Sequence, residues 1–421
     1  MYPNSGFSGS DRKEGISGMR GMSNEEKYIR KRKRECYRTN LFYRLLWFFP
    51  VNKRKVVFTT FEGDGGYCCN PRYIAEELLG RKEKYEIIWL VNNLEKQFPA
   101  GIKKVKNSFL NRAYYLATAK VWVDNSRKAY GVAKRKNQLY IQTWHAALEF
   151  KPVGKFRGKL FPRMAYLVSE YDSKLADYVT SNSEWCTKLY PEMLLYHGNI
   201  IKTGSPRCDI FINKREEIYK YIRERYQMPQ DAKIVLFAPT FRGGSQKGNR
   251  QVFADEPTID FKRLVNALEE RFGGNWFVFL RLHPQLAAQL EGFPLTNGIS
   301  NMIDVSQGDD MNELAAASDV LITDYSSSAF DVINMHMPVF LYADDLDKYT
   351  EERGKLMWDM YSLPFTVAKD NDELVENIAK FDAEEYIKKV DLFSEEHGVL
   401  EDGRASERVV DVIEDFISIS I

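Results

Sequence analysis

Residues 319–332 read D-V-L-I-T-D-Y-S-S-S-A-F-D-V. A short apolar run, Val320–Ile322, stops at Asp324-Tyr325-Ser326-Ser327-Ser328, where residues that favour helix starts take over. A buried strand that passes through a polar turn into a helix is the repeating half of an α/β sheet. The same grammar extends in both directions. Val339–Tyr342 (V-F-L-Y) follows, and Ile303–Val305, Trp276–Leu280 and Lys233–Ala238 precede it. Upstream of Pro229 the alternation occurs once more, with strands expected at Lys55–Thr60, Ile87–Val91, Lys120–Asp124 and Leu139–Thr143. Helix-like stretches such as Tyr73–Leu79 and Leu110–Ala119 separate them, and a charged helix, Lys214–Tyr226, joins the two sets. The pattern predicts two successive Rossmann-like domains, each a doubly wound parallel sheet, at residues 55–212 and 213–421. Ligand is then expected between the carboxyl ends of the two sheets.

The chain has 421 residues, 44% of them hydrophobic and 28% charged, enough for two buried cores. Formal net charge is +1, but it is unevenly spread. Residues 301–421 carry 9 Lys/Arg against 29 Asp/Glu, whereas residues 1–300 carry 51 against 30. An anionic partner is therefore expected on the first three quarters of the chain, and nothing in the balance calls for nucleic acid. Five cysteines (Cys36, Cys68, Cys69, Cys186, Cys208) show no C-x-x-C spacing, which argues against a disulfide framework or a zinc knuckle and for a reducing compartment.

Residues 1–54 precede the alternation. Up to position 24 they are Gly/Ser-rich and polar, without the apolar stretch of a signal peptide, and read as a flexible tail. From Lys27 to Lys55 a basic run, K-Y-I-R-K-R-K-R-E-C-Y-R, leads into L-F-Y-R-L-L-W-F-F-P. Cationic side chains for anionic headgroups and Trp/Phe for the acyl boundary describe a helix that lies on a membrane surface, whereas a helix docked on its own domain would give the same pattern. No apolar run approaches the roughly 20 residues that span a bilayer. The expected location is the cytosol or the cytosolic face of the membrane.

Polar residues cluster where strands are expected to end. His145, in Q-T-W-H-A-A-L-E-F-K, follows the Leu139–Thr143 strand, a place suited to a general base and equally to a histidine that bonds only locally. Arg281 and His283, in F-L-R-L-H-P, share one face of an extended chain and suit a phosphate. Ser326 and Ser327 sit where unpaired helix N–H groups would add an anion site, or where they only cap the helix. F-A-P-T-F-R places Thr240 and Arg242 at a strand mouth, and T-G-S-P-R-C-D places Arg207 in a turn near the domain junction. Asp345 and Asp347 spell D-x-D within a solvated acidic stretch, a weak case for a metal. There is no P-loop, G-x-G-x-x-G, H-E-x-x-H or G-x-S-x-G.

Taken together, W-H-A-A-L-E-F-K, T-G-S-P-R-C-D-I-F, F-A-P-T-F-R, R-L-H-P, D-V-L-I-T-D-Y-S-S-S-A-F-D and G-R-A-S-E-R-V-V-D resemble, in order and spacing, the CDP-glycerol glycerophosphotransferase family of teichoic acid and capsule synthesis. G-Y-C-C-N-P-R-Y-I, residues 66–74, is similar to that family's N-P-[RK] segment, and the resemblance runs from about Lys55 to the C-terminus. It implies a GT-B fold, with acceptor on the first domain and CDP-alditol on the second. It also implies that an acceptor hydroxyl attacks the β-phosphorus of CDP-glycerol or CDP-ribitol and that CMP leaves. On this resemblance His145 is the general base. Trp144, Ala146, Ala147, Leu148, Arg207, Pro239, Thr240, Arg281, Leu282, His283, Ser326, Ser327 and Asp331 are expected to bind substrate, the last three with the nucleotide diphosphate.

Many members read W-H-G-T-P-L-K-K where this chain has W-H-A-A-L-E-F-K. The change removes a hydroxyl beside the base and leaves Lys151 of two lysines, pointing to a capsule-type or decoration enzyme or to an alditol other than glycerol. No cofactor or metal is required on this reading, which has room for a loosely held Mg²⁺. The expected partners are the CDP-alditol, an anionic lipid-linked or glycan acceptor guided by the basic Lys151–Arg163 run, and the inner leaflet. Nucleic acid is not expected, and self-association is compatible with the sequence. Two rivals are a GT-B nucleotide-sugar transferase or epimerase, and an inactive scaffold at the membrane.

Overall fold

The structure, a computed structural model, describes residues 23–229, 231–240, 258–282 and 301–419. In the first lobe seven strands form one sheet: β1 Asn52–Thr59, β2 Glu86–Val91, β3 Ile102–Lys106, β4 Ala119–Asp124, β5 Leu139–Gln142, β6 Tyr178–Ser181 and β7 Asn199–Lys202. Their order is β3-β2-β1-β4-β5-β6-β7, with every pairing parallel. The second lobe has β8 Ala232–Phe237, β9 Asn275–Leu280, β10 Met302–Asp304, β11 Val320–Thr323, β12 Val339–Tyr342 and β13 Thr366–Ala368. These run β10-β9-β8-β11-β12-β13, again all parallel. Each sheet starts at its centre, moves to one edge and then returns to the other side. The reversal leaves a crevice at the carboxyl ends of β1 and β4 in one lobe and of β8 and β11 in the other.

The expected two-sheet α/β architecture is the observed one. Central strands are buried on both faces and carry the apolar runs that made them legible: Val56, Val57 and Phe58 on β1, Leu321 and Ile322 on β11, all without exposed surface.

The lobes are not divided as the sequence reading divides them. The last helix, Ala405–Ile419, returns to the first lobe, where Val409, Val410 and Ile413 pack with Val56, Phe58, Ile74 and Trp89. There its apolar stripe is covered, beside the Cys69–Gly80 helix. The final helix, which the sequence reading assigns to the second domain, thus packs in the core of the first lobe. A second seam is aromatic: Phe150 meets Phe330 with ring centroids 5.1 Å apart, and Trp185 stacks on Trp358 at 4.6 Å.

The basic segment forms one long helix, Asn24–Leu45, capped by Ser23, whose hydroxyl accepts the Glu26 amide while the Glu26 carboxylate accepts the Ser23 amide. One side docks on the first lobe through Tyr43, which is fully buried, with Phe42 and Trp47 packed beside it. Among the described residues no helix is long and apolar enough to cross a membrane.

Candidate active site

His145 follows β5 at the carboxyl edge of the first sheet. Its Nδ1 lies 2.7 Å from the Asn125 carbonyl oxygen, which can only accept, so Nδ1 carries the proton and the neutral ring leaves Nε2 free to take one. Burial lowers the imidazole pKa to about 4; the Asn125 contact opposes the shift, and the cations Arg207, Arg127 and Lys151 add to it. At neutral pH the ring is uncharged.

Its neighbour Trp144 is held in the left-handed region at φ 51°, which costs a non-glycine residue about 1–3 kcal/mol. The surroundings impose it. The Trp144 amide donates to the Gln142 side chain at 2.9 Å, and the Asn70 side-chain amide donates to the Trp144 carbonyl at 3.2 Å. The twist lays the indole against the imidazole, centroids 4.3 Å apart, while the Arg127 guanidinium lies 4.7 Å from the indole centroid and Phe61 flanks His145 at 5.4 Å.

Asn70, in the N-P-R segment, also accepts the Arg207 amide at 3.1 Å and so ties two sequence-distant elements together. The Arg207 side chain is nearly fully buried and reaches the second lobe. Its Nε donates to Asp331 Oδ2 at 2.9 Å and its Nη2 to Asp331 Oδ1 at 2.8 Å. Asp331, expected beside the diphosphate, thus has both oxygens committed to Arg207. Arg72 adds a second link across the lobes, to Glu313 at 2.6 Å.

In the second lobe the expected residues gather at neighbouring strand ends. Pro239 and Thr240 follow β8, Arg281 and Leu282 follow β9, and Ser326 and Ser327 follow β11. Asp324 closes the gap between β8 and β11 by accepting the Thr240 amide on both oxygens, at 2.8 and 2.9 Å. Leu282 is core, with its amide on Ser306 Oγ at 2.9 Å. His283 and Arg242 lie outside the described residues.

Three expectations need correction. The helix after the serines is a single turn, Ser328–Asp331, too short for a useful macrodipole. Leu148 is 1% exposed and part of the core shared by both lobes, so its side chain lines no substrate site. Ala147 is also buried, with its carbonyl taken by the Cys186 thiol at 2.7 Å, whereas Ala146 stays half-exposed. Asp345 of the D-x-D pair accepts the Tyr325 hydroxyl at 2.9 Å, and among the described residues no cluster of three or more His, Cys, Asp and Glu side chains converges as a metal centre would.

Glu149 went unnoticed in the sequence, although it stands inside the quoted motif. It is buried, and its Oε1 accepts the Trp144 indole N–H at 2.8 Å, while its Oε2 lies 3.5 Å from the Ser327 hydroxyl of the other lobe. Its backbone carbonyl accepts the Trp358 indole N–H at 2.8 Å. A continuous path, Ser327–Glu149–Trp144–His145, therefore joins the serine loop of the second lobe to the histidine of the first. Asn125, Arg127, Asn70 and Trp358 were missed as well. Only Asn70 carried a signal, as part of N-P-R.

The sequence profile of the CDP-Glycerol:Poly(glycerophosphate) glycerophosphotransferase family matches residues 41–415. The chain is 29% identical over 381 residues to the teichoic acid poly(glycerol phosphate) polymerase of Bacillus subtilis, covering 86% of this chain and 49% of that one. It therefore spans about half the length of that relative. It covers 95% of the teichoic acid glycerol-phosphate transferase of Staphylococcus aureus at 28% identity. Among solved structures, that of the wall teichoic acid polymerase TagF superposes with a TM-score of 0.76 at 28% identity, covering 94% of this chain and 99% of that one. Two parallel sheets wound alike and a profile that spans nearly the whole sequence lead to one assignment: the chain belongs to the CDP-glycerol:poly(glycerophosphate) glycerophosphotransferase family.

Proposed function

We propose that this chain transfers glycerol phosphate or ribitol phosphate from the CDP-alditol to a hydroxyl of an anionic, lipid-linked or glycan acceptor in teichoic acid or capsular polymer synthesis. The path Ser327–Glu149–Trp144–His145 is the observation that carries the reading, since it links a neutral imidazole through two residues to a hydroxyl-bearing loop of the opposite lobe. The acceptor oxygen bonds to the β-phosphorus, and the bridging oxygen between the phosphorus atoms leaves with its electron pair on CMP. The acceptor proton passes to His145 Nε2. Fixed donors, Ser326, Ser327 and the Thr240 loop, take the charge of the diphosphate, while Arg207 acts as a strut that keeps the serine loop against the base. Base catalysis supplies about 10²–10⁴-fold of the rate, and positioning with charge stabilisation the rest.

The reaction belongs at the cytoplasmic face of the cell membrane. On the Asn24–Leu45 helix, Tyr37, Leu41 and Leu45 form a stripe that continues to Phe48, with exposures of 72, 50, 66 and 90%. Arg30, Lys33, Arg34 and Arg38 flank it. Phe109, Leu110 and Tyr114 of the next lobe helix extend the apolar surface. Cations over an apolar ridge, on the side opposite Tyr43, suit an anionic lipid surface. Melting shifts with CDP-glycerol, CDP-ribitol and UDP-sugars test the donor class. Stabilisation by a cytidine diphosphate alditol is expected; stabilisation by UDP-sugars alone overturns the reading.

A further inference from the structure

We propose that Glu149 recognises the transferred polyol, its outer carboxylate oxygen binding a free hydroxyl of the alditol esterified to the β-phosphate. The inference rests on the transferase reading above and names the group that reads the alditol.

An account of the carboxylates around the crevice leads to it. Asp331 commits both oxygens to Arg207. Asp324 commits both to the Thr240 amide. Glu401 gives Oε1 to the Asn182 side-chain amide at 3.0 Å and Oε2 to the Ser205 amide at 2.9 Å. Glu149 differs from all three. Oε1 is held by the Trp144 indole at 2.8 Å, while among the described residues the hydrogen-bond donor at Oε2 is Ser327 Oγ at 3.5 Å, the outer edge of hydrogen bonding. A buried carboxylate oxygen without a close donor is costly unless a ligand supplies one.

The chemistry of that donor is constrained. While Glu149 is ionised, a phosphate oxygen cannot serve beside it, because like charges at this distance repel in a poorly solvated site. A neutral hydroxyl can. Ser327 faces Glu149 from the loop offered to the diphosphate, so a group bonded to the β-phosphate extends from the serine loop toward the base and passes the Glu149 carboxyl. When the diphosphate takes the Ser327 hydroxyl, a polyol hydroxyl takes that hydroxyl's place on Glu149. Burial pushes the Glu149 carboxyl up while the Trp144 indole, Lys151, Arg207 and Ser327 pull it down, and either protonation state bonds a hydroxyl.

The test is calorimetric titration of the full chain with CDP, CDP-glycerol and CDP-ribitol, comparing the parent with Glu149→Leu and Glu149→Gln. The expected result is that Glu149→Leu binds CDP as the parent does and the preferred CDP-alditol about 10- to 100-fold more weakly, the worth of one charge-assisted hydrogen bond. Glu149→Gln keeps an oxygen for Trp144, preserves the packing, and loses less, again only toward CDP-alditols. Equal losses toward CDP and CDP-alditols show a merely structural residue and overturn the inference, as does no loss in either variant; both leave the transferase reading standing. A parent protein that binds no cytidine diphosphate compound overturns both.

Discussion

The Arg207 guanidinium and the Asp331 carboxylate, 124 positions apart, close a two-pronged ion pair across the two lobes at 2.9 and 2.8 Å. Both side chains are buried, and Asn70 holds the Arg207 backbone at the same time as it holds Trp144. The loop that carries the serines and the turn that carries the base are thus fixed to one another. Removing one partner strands the other charge in a poorly solvated place. Arg207→Ala should cost about 3–5 kcal/mol in denaturant unfolding, and Arg207→Lys should recover only part of it because an ammonium lacks the planar fork. A loss under about 1 kcal/mol would show that the pair is no strut.

The pH profile of kcat/KM reads the base in the free protein. Since desolvation lowers the part-buried His145 imidazole to about 4, activity should hold from pH 7 down to about 5 on that group's account, where a histidine of ordinary pKa would already be protonated. A diphosphate bound nearby favours the imidazolium, so the acid limb of kcat should lie above that of kcat/KM. An acid limb of kcat/KM near 6.5 would contradict the neutral, desolvated ring.

Ser327→Ala removes a donor from the serine loop without touching the base. Donor affinity measured by calorimetry should fall about tenfold or more, as expected when a hydrogen bond to an anion is lost. Unchanged affinity would take the diphosphate away from this loop.

For the membrane surface, deleting the N-terminal helix is a poor probe, because it would strip Tyr43 from the first lobe's core. Leu45→Ser with Phe48→Ser changes only exposed side chains. Each such apolar side chain contributes about 1.5–3 kcal/mol on full burial, so sedimentation with anionic vesicles should drop more than tenfold while the melting temperature stays unchanged. Retained vesicle binding would remove this ridge from the membrane.

How far the sequence reveals this protein depends on the kind of interaction involved. Central strands such as Val56–Thr59 and Val320–Thr323 are legible because burial on both faces demands an unbroken apolar run. The edge strands β3 (I-K-K-V-K), β7 (N-I-I-K) and β13 (T-V-A) are missed because lysines and brevity mask the period, and the interior β6 (Y-V-T-S) is missed because it is four residues long and half of it is Thr and Ser. The return of the last helix to the first lobe is likewise invisible. Its stripe states that it must be covered but not by which sheet.

The site divides along the same line. His145, Thr240, Arg281 and the serines stand directly after apolar runs, and a strand end is a place that sequence can mark. Asn125 acts through its backbone carbonyl, Arg127 and Glu149 act through side chains in specific rotamers, and Trp358 comes from a segment 209 positions from its partner. Such partners become visible only once the chain is folded.

The most direct measurement is CMP release from CDP-glycerol and CDP-ribitol by the parent chain and by His145→Ala, with donor affinity of both proteins determined in parallel. CMP should appear with the parent and fall at least about 100-fold in the variant, while the two bind the donor equally well. Equal CMP release by both proteins, or turnover of UDP-sugars in place of CDP-alditols, would contradict the account.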